Sequence, residues 1–205
     1  MTDRKKHWEQ VYANKSSLEV SWYQAEPRLS LELIQRSGLG KDAPLIDVGG
    51  GASLLVDRLQ ACRRRRLAVF DISGAALAVA RQRFGAQAAD IEWYEADVTR
   101  FSAPHPFSLW HDRAVFHFLT AAEDRQHYVD VLRRTLVSGG HVIIAAFAPG
   151  GPTLCSGLEI VQYDAAKLMA ELGPNFHLEE QQTETHLTPA GKEQRFGFFR
   201  LRRLD

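Results

Sequence analysis

The stretch Leu45-Ile46-Asp47-Val48-Gly49-Gly50-Gly51-Ala52-Ser53 decides how the chain is read. Residues of strand character run into three glycines, and the apolar, helix-like run Leu54 to Cys62 follows. A strand-to-helix turn made of bare glycine lets a ligand approach the backbone and sets it at a helix N-terminus. A single glycine suffices for an ordinary turn, so a run of them points to a nucleotide-type ligand. The dinucleotide fingerprint needs one more glycine, three residues after its second. Leu54 stands there instead. Asp47 precedes the first glycine by two residues, at the end of the strand. A carboxylate in that place attracts a cationic group and repels a pyrophosphate.

Around this motif, short apolar runs alternate with helical patterns, the order of parallel strands joined by crossover helices. Leu45–Val48, Leu67–Phe70, Phe107–Trp110 and Val142–Phe147 read as buried strands. Ser73 is placed to cap a helix over Gly74–Phe84. The clearest helix is Asp124–Leu136, with Tyr128, Val131, Leu132, Thr135 and Leu136 on one face and Ser138-Gly139-Gly140 as its stop. Asp164 is expected to cap a helix ending at Leu172 before Gly173-Pro174. Phe176–His186 and Gln194–Arg203 lack a helical period and read as an antiparallel hairpin that closes the sheet.

The composition narrows the function classes. With 205 residues, 45% of them hydrophobic, the chain has the size of one domain with a substantial core. Lysine plus arginine and aspartate plus glutamate are equal at 25 each, so no excess positive charge draws it to nucleic acid or an anionic membrane. The longest apolar run, Val142 to Ala148, has seven residues, against the roughly 20 of a membrane-spanning helix. The N-terminus lacks the apolar core of a secretory signal. Both cysteines, Cys62 and Cys155, are read as reduced, which with the missing signal implies a cytoplasmic location. The eight histidines show no His-x-x-x-His or Cys-His spacing, so no metal site is expected.

Asp47-x-Gly49-x-Gly51 resembles the first motif of class I S-adenosylmethionine-dependent methyltransferases. Asp71 follows Gly51 by 20 residues at the next strand end, and the resemblance makes it the acceptor for both ribose hydroxyls, with Ile72 beside it. Glu95-Ala96-Asp97-Val98 ends the third strand. By the same resemblance Asp97 takes the adenine amino group and the Val98 amide meets the ring. The segment His111 to Leu119 is similar to the one that packs along the methionine part of the cofactor, and Gly139-Gly140 to the glycine turn before strand five. His7-Trp8-Glu9 with Val20-Ser21-Trp22-Tyr23 is similar to a leading segment that folds over the cofactor. Trp8 and Trp22 are expected to line the cleft, where aromatic faces stabilise a sulfonium by about 0.5–2 kcal/mol, or else to form a plain hydrophobic lid.

The resemblance implies one Rossmann-like α/β domain over residues 1–205. It has a helical lid segment (1–43), a cofactor core (44–148) and a substrate-side loop, helix and hairpin (149–205). Its sheet is doubly wound, seven-stranded and mainly parallel, with the last strand antiparallel. The reaction implied is methyl transfer from S-adenosylmethionine to a nucleophile, leaving S-adenosylhomocysteine. His111 and His117 are candidate proton acceptors beside the methyl group, or loop-holding residues, and Asp112 with Arg113 reads as a local ion pair. Pro149–Thr153 and on to Tyr163 reads as a substrate lid or an exposed loop. Arg63–Arg66 reads as a solvated connector, and Arg200, Arg202 and Arg203 as an exposed strand face. Asn/Asp-Pro-Pro-Tyr is absent after strand four, where Asp112-Arg113-Ala114-Val115 stands, which disfavours amide or exocyclic-nitrogen acceptors. A small-molecule acceptor is preferred to a protein lysine. A non-catalytic S-adenosylmethionine-binding module is the alternative of another class, and Leu54 argues against a nicotinamide-dependent oxidoreductase.

Overall fold

The computed structural model describes residues 3–205. Helices α1 (Asp3–Asn14) and α2 (Arg28–Arg36) precede β1 (Leu45–Val48), and α3 (Leu55–Ala61) leads to β2 (Leu67–Asp71). Then come α4 (Gly74–Phe84), β3 (Ile91–Glu95), β4 (Phe107–Arg113), α5 (Ala122–Thr135) and β5 (Leu136–Phe147). A short hairpin, β6 (Leu154–Cys155) and β7 (Leu158–Glu159), is followed by α6 (Ala165–Leu172), β8 (Phe176–Leu187) and β9 (Glu193–Arg203). The main sheet is seven-stranded, in the order β3-β2-β1-β4-β5-β9-β8. Strands β1 to β5 pair in parallel, and β9 runs antiparallel to both β5 and β8. The fold class is therefore the expected one.

Every residue of β1 and β2 is buried, because helices cover both faces of the sheet and leave no polar side. Alternation along the strands then divides the core in two. Ile46, Val48, Ala68, Phe70 and Trp110 pack with Val131 and Leu132 of α5 and Leu168 of α6. Leu45, Leu67, Val69 and Leu109 pack with Leu33 of α2, Leu59 of α3 and Leu77 of α4. The expected caps hold: Ser73 Oγ accepts the Ala76 amide at 3.2 Å and the Asp164 carboxylate accepts the Lys167 amide at 2.8 Å.

Two local expectations are corrected. Ser138-Gly139-Gly140 does not end α5. The helix stops at Thr135, and these residues form an irregular stretch of β5, whose pairing with β4 jumps from Phe107–Leu136 to Leu109–His141. Gly139, at φ +70°, supplies the left-handed backbone of this bulge. Asp112 and Arg113 do not pair. Successive β4 side chains point to opposite faces, and Asp112 turns to α5, where Tyr128 Oη donates to it at 2.7 Å and the Val115 amide at 2.9 Å. Burial pushes the Asp112 carboxyl up to about 6, against the lowering effect of these donors. Trp110 Nε1 in turn donates to Tyr128 Oη at 2.8 Å.

Tyr128→Phe removes a donor from a buried carboxylate and an acceptor from a buried indole at once. It is expected to cost roughly 1–3 kcal/mol of stability, read by urea unfolding, with the sheet retained by circular dichroism.

Candidate active site

The polar residues of the site share one face of the sheet. Asp47 of β1 lies directly beside His111 of β4 in the parallel register, and alternation sends Arg113 to the same side. All lie at the carboxyl ends of the strands, where the sheet order reverses between β1 and β4. This is the place where open α/β sheets bind ligands. Asp47 Oδ1 is 2.7 Å from His111 Nδ1, and His111 Nε2 is 2.9 Å from Ser30 Oγ of α2. All three residues are buried. Asp47 Oδ2 is also buried and has no hydrogen-bond partner. The partner of Asp47 is thus, in part, a histidine of the protein itself.

The glycines between β1 and α3 are dictated by protein as much as by ligand. A Cβ on Gly49 would clash with Val115, and one on Gly51 would lie 2.5 Å from both Ala76 Cβ and Asp71 Oδ2. Gly49 also needs φ +70°. This closeness lets the Gly51 amide donate to Asp71 Oδ2 at 3.1 Å, while the Ser73 amide donates to Oδ1 at 2.9 Å. Burial nevertheless raises the Asp71 carboxyl to about 7, opposed by these amides and assisted by the charge of Asp47.

Helix α1 lies across this rim. Its Glu9 accepts the amides of Gly74 at 2.8 Å and Ala75 at 3.2 Å, so a carboxylate of α1 caps the N-terminus of α4. Arg4 reaches Asp97 at 3.8 Å and Asp124 at 2.5 Å, and Lys5 pairs with Glu95. Arg4, Trp8 and Tyr12, at i, i+4 and i+8, share one helix face and roof a cavity of about 710 Å³ including its mouth. Asp71, Ile72, Asp97 and Val98 form one wall, and Arg113, Val115, Phe118 and Cys155 contribute to the rest. The roof is an edge-on aromatic cluster, with Trp8 5.6 Å from Trp22 and 5.0 Å from Phe118 between ring centres. A second cavity holds Asp47, Gly50, His111 and Ser30, and shares Trp22, Gly49 and Arg113 with the first.

The structure therefore brings Trp8, Trp22, Gly49, Asp71, Ile72, Asp97 and Val98 around the first cavity and Asp47, Gly50 and His111 around the second. Ala96 faces the core, its amide donating to the Asp71 carbonyl at 3.1 Å. His117 lines neither cavity. It is buried against Phe147 and Phe118, at 5.0 and 4.4 Å, with both ring nitrogens unpartnered. Burial first, and then Arg113, lowers its pKa to about 3, a poor match for accepting a proton at neutral pH. Arg4, Glu9, Tyr12, Arg113 and Cys155 were not singled out as site residues from sequence. The spacing of Arg4, Trp8 and Tyr12 is the one signal that could have found part of this set. Among the described residues, no group of three or more His, Cys, Asp or Glu side chains is placed to hold a metal ion.

A family model described as "Methyltransferase domain" matches residues 45–140, from β1 into β5. By this match the segment from β1 into β5 is a methyltransferase domain. The cofactor that the sequence motifs imply for it is S-adenosylmethionine, with S-adenosylhomocysteine as product. No curated protein matches it in sequence. Among solved structures, the chain resembles the N-methyltransferase NodS from Bradyrhizobium japonicum WM9 in complex with S-adenosylhomocysteine. The two share 17% identity, with all of each chain covered and a TM-score of 0.75. It also resembles an S-adenosylmethionine-dependent methyltransferase from Anabaena variabilis ATCC 29413, at 18% identity, 99% and 96% coverage and TM-score 0.74. A third is the Burkholderia thailandensis 1,6-didemethyltoxoflavin-N1-methyltransferase with bound 1,6-didemethyltoxoflavin and S-adenosylhomocysteine. It shows 15% identity, covers 98% of this chain and 84% of its own, and has a TM-score of 0.70. At these identities the likeness is one of fold.

His111→Leu leaves the buried Asp47 side chain without its hydrogen-bond partner and is expected to destabilise the protein by about 1–3 kcal/mol. Chemical unfolding checks this, and a loss below 1 kcal/mol would mean that the Asp47–His111 pair does not hold the two strands' side chains together.

Proposed function

We propose that the chain methylates a small molecule, as one domain in which residues 1–43 act as the lid. The observation that carries this reading is the cavity between the strand ends and α1. It is roofed by Trp8, Tyr12 and Trp22 and closed at its edge by the Arg4, Lys5 and Glu9 contacts. A macromolecular side chain would have to enter beneath that roof. One of the similar structures, the 1,6-didemethyltoxoflavin-N1-methyltransferase, holds bound 1,6-didemethyltoxoflavin. The two cysteines are free and no helix among the described residues is long and apolar enough to cross a membrane, which agrees with a cytoplasmic location.

The residues present fit the cofactor. Asp71 and Asp97, at the ends of β2 and β3, line the aromatic-roofed cavity, and Asp47 of β1, which keeps an unpartnered buried oxygen, lines the adjoining one. In this reading Asp71 accepts from the ribose hydroxyls, Asp97 from the adenine amino group, and the Val98 amide meets the ring. Trp8, Tyr12 and Trp22 cover the nucleoside and the sulfonium side, with Gly49 beneath. The cofactor supplies a methyl group on a sulfonium, already an activated leaving group. The chain's own task is then to align the nucleophile and keep water out, positioning that is worth roughly 7–11 kcal/mol. His111, bound at both nitrogens by Asp47 and Ser30, is a positioning residue for the Asp47 carboxylate.

Incubation with tritiated S-adenosylmethionine and cell extract tests the acceptor class: label in the small-molecule fraction is expected, and label confined to a protein band would overturn the reading. Asp71→Ala is expected to weaken S-adenosylhomocysteine binding about tenfold or more by isothermal titration, and Trp22→Ala by a smaller factor. The raised Asp71 pKa fixes the sign with pH. Ribose hydroxyls donate to the ionised carboxylate, so affinity is expected to fall as pH drops below about 7 and the proton must be lost on binding. The same raised pKa means that the empty protein loses stability from this group as pH rises from about 4 to 7. Titrations at pH 6 and 8 check the first statement, and unfolding curves across that range the second.

A further inference from the structure

Arg113, the last residue of β4, is one of the residues shared by both cavities. Its side chain is only 10% exposed, and a guanidinium remains charged at neutral pH even when burial lowers its pKa. Nη1 donates to the Trp22 carbonyl at 2.9 Å, and the guanidinium lies 4.5 Å from the centre of the Phe196 ring. Nε and Nη2 are buried with no hydrogen-bond partner. The Glu184 carboxylate stands 4.0 Å from Nη2, beyond hydrogen-bond distance, and is held there by Gln24 Nε2 at 2.9 Å. Buried donors are almost always satisfied, and a buried cation is almost always hydrogen-bonded to its anion. Arg113 breaks both expectations in the wall of a ligand cavity.

The two open nitrogens are not an arbitrary pair. Nε–H and one Nη2–H of a guanidinium point along the same edge, and that edge grips a carboxylate through two parallel bonds. The position in the sheet assigns the partner. Asp71 and Asp97 follow β2 and β3, on one side of the point where strand order reverses. Arg113 lies on the other side, over Phe196 of β9 and near Glu184 of β8. A nucleoside lying on Asp71 and Asp97 leaves the Arg113 edge to whatever occupies the opposite half of the site.

We propose that the methyl acceptor is a small carboxylic acid and that its carboxylate docks on the Nε–Nη2 edge of Arg113. This rests on the methyltransferase reading with the nucleoside at Asp71 and Asp97. The acid supplies the two acceptors that the guanidinium lacks, and the rings of Trp22 and Phe118 flank the remainder of the molecule. A neutral amide of the same shape leaves the buried cation uncompensated, so the site discriminates by charge rather than by size. Arg113 is then a specificity-determining residue, with no part in moving the methyl group.

The test uses amine-, thiol- and hydroxyl-bearing carboxylic acids, each matched by its primary amide, with transfer of tritiated methyl counted for each. Acids are expected to be labelled about thirtyfold or more faster than their amides. Arg113→Gln is expected to abolish that preference through KM, while S-adenosylhomocysteine affinity stays within twofold of the parent. Arg113→Lys keeps the charge but not the fork, and is expected to recover part of the preference, which guards against a folding effect of the Gln variant. Equal labelling of acids and amides overturns the proposal. So does an Arg113→Gln protein that binds S-adenosylhomocysteine weakly but methylthioadenosine normally, since that assigns the guanidinium to the cofactor's own carboxylate. A parent protein that binds no S-adenosylhomocysteine sinks the underlying reading as well, and this failure is recognised because it needs no substitution.

Discussion

The parallel register of β1 against β4 is the constraint on which the site depends. With Asp47 opposite His111 and Val48 opposite Asp112, the two-residue alternation of a strand settles which groups meet. Asp47, His111 and Arg113 go to the face covered by α2, and Trp110 and Asp112 go to the face covered by α5. A slip of one residue would exchange these sets. It would bury Arg113 among the rings of the α5 core and place Asp112 under the glycine turn. The buried polar contacts on the two faces, Ser30–His111–Asp47 and Trp110–Tyr128–Asp112, act as locks on that register. A buried polar group that loses its partner costs far more than the bond itself contributes.

Much of this was legible in the sequence, because the signals were periodic or stereochemically forced. The strand with its glycines, the apolar stripe of α5, the caps at Ser73 and Asp164 and the final hairpin each have a local cause. The acidic strand ends were legible for the same reason, since a strand that stops at Asp71 or just before Asp97 fixes where the carboxylate goes. What escaped was non-local. Whether Asp112 pairs with Arg113 depends on what lies above and below the sheet, and adjacent positions on a strand cannot face each other. His111 and His117 look alike in sequence, yet one is drawn into a hydrogen-bonded chain by Asp47 and Ser30 while the other is enclosed by Phe118 and Phe147. The end of α5 was misplaced because glycines that could stop a helix serve equally well to bend a strand.

The aromatic density of the N-terminal segment was visible as composition, but its purpose required the contacts of α1. Trp8 and Tyr12 turn inward, while Arg4, Lys5 and Glu9 reach the ends of β3 and the start of α4. Helix α1 and the acidic strand ends therefore use overlapping groups: Arg4 lies against Asp97, and Glu9 caps the helix that opens just after Asp71. The same overlap means that few atoms separate the roof of the cavity from its wall.

The cap that Glu9 places on α4 makes the seating of α1 sensitive to the solvent. The positive end of that helix is neutralised by a side chain 65 residues earlier in the sequence, so lifting α1 uncovers a partial charge as well as a cavity. The attachments of α1 at both ends of the rim are ionic or dipolar and lie near solvent, where dissolved ions screen them within about 10 Å at 0.1 M. The Trp8–Trp22–Phe118 contacts beneath are apolar and respond in the opposite direction to salting-out anions. The seating of α1 thus has two opposed solvent sensitivities. At equal ionic strength chloride and sulfate screen the ionic contacts alike, while sulfate strengthens the apolar ones, so the choice of salt sets which attachment holds the helix down.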